Sequence, residues 1–134
     1  MNEWRKNALE KIPSQRELIQ SNEIDSIGML WIELDMLIEN KDFESLNEIF
    51  DYAKWCLEDS DNAEIRTVVL THFYEHLLEK EHIRKILPNF LTKSDFINLK
   101  EVFLYHNTEE DYERHRKEFW DNWEAINNKK IKRR

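Results

Sequence analysis

The clearest chemical spacing in the chain is His72-Phe73-Tyr74-Glu75-His76. It matches H-x-x-E-H, in which a helix presents two imidazoles one turn apart to a zinc ion and a glutamate serves as base. Glu79 and His82 are further ligand types close by in sequence. A metal hydrolase also needs a third ligand held in a formed cleft, and no residue is specified for that role. Both histidines fall within the apolar stripe expected from Ile65, Val68, Val69 and Phe73. The expectation is therefore structural histidines, satisfied in the core or at an interface, with no metal and no cofactor. His72 and His76 are the residues that would hold an ion.

Other chemistries find less support. Glu79-Lys80-Glu81-His82 contains E-x-x-H, but a di-iron carboxylate site needs a second such element and the chain has none. Cys56 is the only cysteine, which excludes an internal disulfide, and its place beside a core stripe suggests a buried thiol. No serine sits in G-x-S-x-G. One glycine cannot build a GxGxxG fingerprint or a phosphate-cradling loop. A non-enzymatic binding protein is the expected class, with a metal-dependent hydrolase on His72, Glu75 and His76 as the alternative of a different kind. A helical adaptor or regulator is a third reading.

Charge is more informative than any motif. The 134 residues carry 28 acids and 20 bases, a net charge of −8. Residues 21–64 hold thirteen acids and two lysines, or −11, while residues 129–134 (Lys-Lys-Ile-Lys-Arg-Arg) carry +5. The acids concentrate on two consecutive helices. On the second, Leu46, Ile49, Phe50, Ala53 and Leu57 form the apolar stripe, and Glu44, Glu48, Asp51 and Trp55 fall on the far side. A tryptophan among acids has two explanations: cover by another helix, such as the N-terminal one carrying Trp4, or an anchor for a partner. Glu44, Glu48, Asp51 and Trp55 are the expected partner-binding residues, with Glu58, Asp59 and Asp61 as their rim. Such a face suits a basic protein and repels nucleic-acid phosphates.

These side chains must be positioned by helices. Low Gly and Pro with abundant Glu, Lys and Leu favour an all-α chain. Periodicity and capping signals predict helices over residues 2–12, 14–20, 25–40, 42–58, 63–80, 81–87, 94–105 and 108–128. The helix opening at Asp25 or Ser26 has Leu30, Leu34 and Leu37 on one side and Met29, Ile32 and Met36 on the other, so both faces are expected to be covered. The helix closing near Lys80 is the expected central one. An irregular bundle of about six to eight helices and HEAT-like helix-pair packing are equal readings. Residues 1–128 form one expected domain, and 129–134 a basic tail. The first residues lack the apolar core of a signal peptide, and no run is long enough to span a membrane. A cytoplasmic protein, monomeric or weakly dimeric, is expected.

The block from Trp31-Ile32-Glu33-Leu34-Asp35 to Phe73-Tyr74-Glu75-His76-Leu77 resembles an uncharacterised family of small, acidic, helical bacterial proteins. It shares a Trp-led helix, an Asn/Lys/Asp turn, a helix ending near Phe50-Asp51-Tyr52 and an Asp-rich turn. Proteins of this type are similar to immunity proteins of bacterial toxin systems, including contact-dependent growth inhibition. The resemblance covers about a third of the chain. It implies a role in binding and blocking a co-encoded toxin domain. Many such toxins are nucleases with basic clefts, which an acidic surface could fill or flank.

Overall fold

The computed structural model describes residues 3–16, 19 and 30–132. Among these the chain is all-α, with eight α-helices and no strand. The chain divides into two compact units, Met1–Tyr74 and Glu75–Arg134.

In the first unit, α1 spans Glu3–Lys11 and is followed by a 3-10 turn at Pro13–Gln15. The proline ring fixes φ and has no N–H to donate, so the α-helix stops there. The expected continuation over 14–20 and the start at Asp25 or Ser26 lie largely outside the described residues. Helix α2 spans Leu30–Glu39, α3 Phe43–Glu58 and α4 Ala63–His72. α3 packs against α1, α2 and α4. Its buried residues Leu46, Ile49, Phe50 and Ala53 are the expected stripe, while Leu57 is only half-buried.

Tyr52 and Cys56 widen the stripe, and both are fully buried. The Tyr52 hydroxyl donates to the Trp4 carbonyl at 2.8 Å, which joins α3 to α1. Burial pushes the Cys56 thiol up to about 12, partly offset by the Tyr52 hydroxyl beside it. The thiol therefore stays protonated at neutral pH and is a poor nucleophile.

The α2–α3 turn is built from two caps that share Asp42. The Asp42 N–H donates to the Leu37 carbonyl at 2.9 Å and the Lys41 N–H to Ile38 at 3.1 Å, a Schellman closure of α2. Lys41 takes the left-handed conformation (φ 56°) that this closure needs. A residue with a Cβ pays about 1–2 kcal/mol there. The Asp42 carboxylate then caps α3 by accepting from the Ser45 N–H at 3.1 Å and the Ser45 hydroxyl at 2.8 Å.

Two expectations for this unit are corrected. α2 is not covered on both faces: Leu30, Leu34 and Leu37 are buried, but Ile32 is 51% and Met36 59% exposed. Met29 lies outside the described residues. Nor does the next helix run from 63 to 80. It is capped by Asn62, which accepts from the Ile65 N–H at 3.1 Å, and it ends at His72. Ile65, Thr67, Val68, Val69 and Thr71 are β-branched and lose side-chain freedom in a helix. Thr67 and Thr71 also bond back to the carbonyls four residues earlier, at 3.1 and 2.8 Å, which weakens the helix further. The chain leaves α4 at Phe73 and makes a 3-10 turn over Tyr74–His76.

In the second unit, α5 spans Glu81–Ile86 and runs into a 3-10 turn, Leu87–Asn89, that contains Pro88. The expected helix 94–105 is two short ones, α6 (Lys93–Asn98) and α7 (Lys100–Phe103), because Leu99 leaves helical dihedrals at φ −90°, ψ 4°. A Thr92–Asp95 capping box opens α6. Helix α8 runs from Glu109 to Lys132, so helical backbone continues past residue 128. The Thr108 hydroxyl accepts from the Asp111 N–H at 3.1 Å near its start.

Phe96 organises the core of this unit. Its ring centroid lies 4.6 Å from Phe119, 5.1 Å from Phe103 and 5.8 Å from Tyr112. The bend at Leu99 lets α6 and α7 each contribute a phenylalanine to one cluster. α8 also packs against α5 and the Leu87–Asn89 turn. No helix among the described residues is long and apolar enough to cross a membrane.

Candidate functional site

α3 carries the acidic face. Glu44, Glu48, Asp51 and Trp55 follow at steps of four, three and four residues, so helical geometry sets them along one side. Glu44 and Asp51 are exposed, and Glu48 is half-buried. Asn47 donates to Asp51 at 3.5 Å, a contact at the edge of hydrogen-bond range. Glu58, the last residue of α3, is exposed, as are Asp59 and Asp61 in the following turn. Glu44, Glu58, Asp59 and Asp61 have no ion-pair partner among the described residues. Arg66 is near in sequence, but its guanidinium donates to the Ser60 carbonyl at 2.6 Å.

Trp55 is less isolated than its surroundings in the sequence imply. It is half-buried and stacks on Tyr52, with ring centroids 6.0 Å apart and planes at 20°. Tyr52 in turn donates its hydroxyl to the Trp4 carbonyl of α1. Among the described residues of this unit, the exposed large apolar ones are instead Ile32, Met36 and Phe43, the last 55% exposed. Sequence reasoning missed them as surface residues. Ile32 and Met36 were assigned to a second buried face of α2, and Phe43 stands one residue after the Asp42 cap, outside the α3 stripe.

The charges at the two ends of α3 are not equivalent. Glu44 lies in the first turn, where the helix dipole favours an anion. Glu58 and Asp59 lie at the opposite end, and the last turn of α3 contains no basic residue. Each acid placed there costs about 0.3–1 kcal/mol at low ionic strength.

The H-x-x-E-H segment does not form its helical site. His72 is exposed at the end of α4, while Glu75 and His76 lie in or beside the separate 3-10 turn. The two histidines are therefore not one turn apart on a common helix, and His72 is not in the core. His76 is half-buried and is joined to Glu79, with Nδ1 and Oε1 2.6 Å apart. Its ring stacks on His106 at a centroid distance of 4.8 Å. His106 in turn meets Glu75, Nε2 to Oε1 2.5 Å. His106 was not singled out from the sequence. It is thirty residues from His76, and no local spacing links the two.

With both regions described, comparison of the chain with protein-family models, curated proteins and solved structures yields no match.

Proposed function

We propose that this chain is a non-catalytic, cytoplasmic immunity-type protein that binds and neutralises a co-encoded basic toxin domain through the acidic face of α3. The observation that carries this reading is the set of exposed carboxylates on α3 and its following turn that lack a basic partner within the described residues. Glu44, Asp51, Glu58, Asp59 and Asp61 belong to it. Ordinary solubility needs dispersed charge of both signs. Here the Met1–Tyr74 unit holds sixteen acids against seven bases.

Glu58 and Asp59 add an energetic argument. They oppose the dipole of their own helix, so they weaken the free protein and gain most from a bound cation. Arginine or lysine side chains lining a phosphate-binding cleft would supply it. Exposed Ile32, Met36 and Phe43 provide apolar area in the same unit, which tight binding needs because screened rim charges mainly set the rate of encounter.

The test is complex formation between the purified chain and the toxic C-terminal domain of the secreted protein encoded immediately upstream. A stable complex that blocks the toxin, weakened by Glu44→Lys, Glu48→Lys and Asp51→Lys together, is expected. A complex that forms equally well with the triple variant would remove this face from the assignment. Absence of any such toxin gene or complex would remove the immunity role.

A further inference from the structure

We propose that His76, Glu79 and His106 form a binding site for a divalent transition metal, zinc(II) by preference, with Glu75 as the positioning residue for His106. All four residues belong to the Glu75–Arg134 unit, and the α3 carboxylates belong to the other. The proposal therefore stands or falls independently of the partner-binding reading.

The geometry is as follows. One ligand atom from each of His76, Glu79 and His106 lies within 4.8 Å of the others. Zinc bound tetrahedrally by imidazole nitrogen and carboxylate oxygen at about 2.0–2.2 Å holds neighbouring ligand atoms about 3.4 Å apart. Side-chain rotations that move these atoms by about 1 Å are enough to reach that spacing. The two segments that carry them are held by the core. Leu77 and Leu78 follow His76 directly and are buried, and Phe103 stands three residues before His106 and is fully buried. The His106 N–H donates to the Phe103 carbonyl at 3.3 Å, and the Glu79 N–H to the His76 carbonyl at 3.2 Å.

The donor set also suits the ion. Two imidazoles and one carboxylate are borderline ligands, matched to zinc rather than to calcium or magnesium. Three protein ligands leave a fourth position for water or for a side chain of a bound partner. Glu75 is the least exposed member, at 15%, and accepts from His106 Nε2–H, leaving Nδ1 as the lone-pair nitrogen. A carboxylate behind a ligand histidine fixes its tautomer and makes it a better donor. The proton held between His76 and Glu79 occupies the place of a bridging cation, and metal binding releases it to solvent. The bound ion would tie the 75–79 turn to the connection between α7 and α8.

The experiment uses the full chain, freed of any histidine tag and of metal by chelator, titrated with zinc by calorimetry and with cobalt(II) by visible absorption. One zinc per chain, a tetrahedral cobalt spectrum and a rise in Tm with zinc are expected. His106→Gln and Glu79→Gln should each weaken binding at least about tenfold, and Glu75→Gln by about tenfold while keeping one-to-one stoichiometry. His72→Ala and His82→Ala should leave binding unchanged. Far-UV circular dichroism shows whether each variant is folded, and Glu79→Gln decides if His106→Gln is not. No saturable zinc binding would overturn the proposal. So would binding that survives both Glu79→Gln and His106→Gln.

Discussion

The two compact units handle charge in opposite ways. In Glu75–Arg134 most of the acids have a basic partner, among them Glu118 with Arg84, Glu124 with Lys93, Glu109 with Lys100, Asp111 with Arg114 and Glu113 with Arg116. Several of these cations also cover aromatic faces, Lys93 lying 4.5 Å from the centroid of Trp123 and Lys100 5.3 Å from that of Tyr112. This unit has twelve acids and thirteen bases. In Met1–Tyr74, Glu44, Glu58, Asp59 and Asp61 stand without such partners among the described residues. The first arrangement serves the fold. The second leaves its carboxylates without a basic neighbour, and two of them, Glu58 and Asp59, oppose the dipole of α3.

The contrast can be broken most forcefully at the core of the second unit. Phe96→Ala removes the ring on which Phe103, Tyr112 and Phe119 converge, and should cost about 3–5 kcal/mol in urea unfolding. Next comes the half-buried Arg84, which donates to the Leu78 carbonyl at 2.9 Å and to Glu118 at 3.0 Å. Arg84→Ala should cost about 1–3 kcal/mol, because it strands a carbonyl and a carboxylate. Neutralising acids in the first unit should act in the other direction. Glu58→Gln with Asp59→Asn should raise stability by about 0.5–2 kcal/mol at low ionic strength, and less as salt is added. A loss of stability in that double variant would show that these carboxylates have structural partners after all.

The smallest expected effect is the pH response of His115. Burial, and next the nearby Arg84, hold its imidazole below the usual histidine range, with Glu118 opposing them. Its neutral form is favoured in the folded state. The contribution is therefore present above the unfolded value of about 6.5 and is lost as pH falls through the folded value. His115→Gln should flatten the stability curve on the acid side of that value, measured by denaturant midpoints. An unchanged slope would remove His115 as its source.

Much of this architecture was legible from local pattern. Pro13, the Asp42 cap, the Leu46–Ala53 stripe and Thr108 each act within a few residues, so spacing alone located them. The clustering of acids over 21–64 was equally readable, because charge needs no tertiary knowledge. What escaped was decided by balance or by distance. The apolar spacing of 63–80 suits one continuous helix, yet its run of β-branched residues and threonine back-bonding weaken that helix, which ends at His72. The partner of the Tyr52 hydroxyl is the Trp4 carbonyl, forty-eight residues away, which no local spacing marks. The His76–His106 pair likewise joins two turns that no periodicity relates.

The central proposal is that the acidic face of α3 meets a basic partner. Stopped-flow association of the chain with the toxin domain proposed as its partner, across a salt series, tests it most directly. The account predicts that Glu44→Lys, Glu48→Lys and Asp51→Lys together lower the association rate at least about tenfold at low ionic strength and flatten its salt dependence. An association rate at low salt equal to that of the unmodified chain would contradict it.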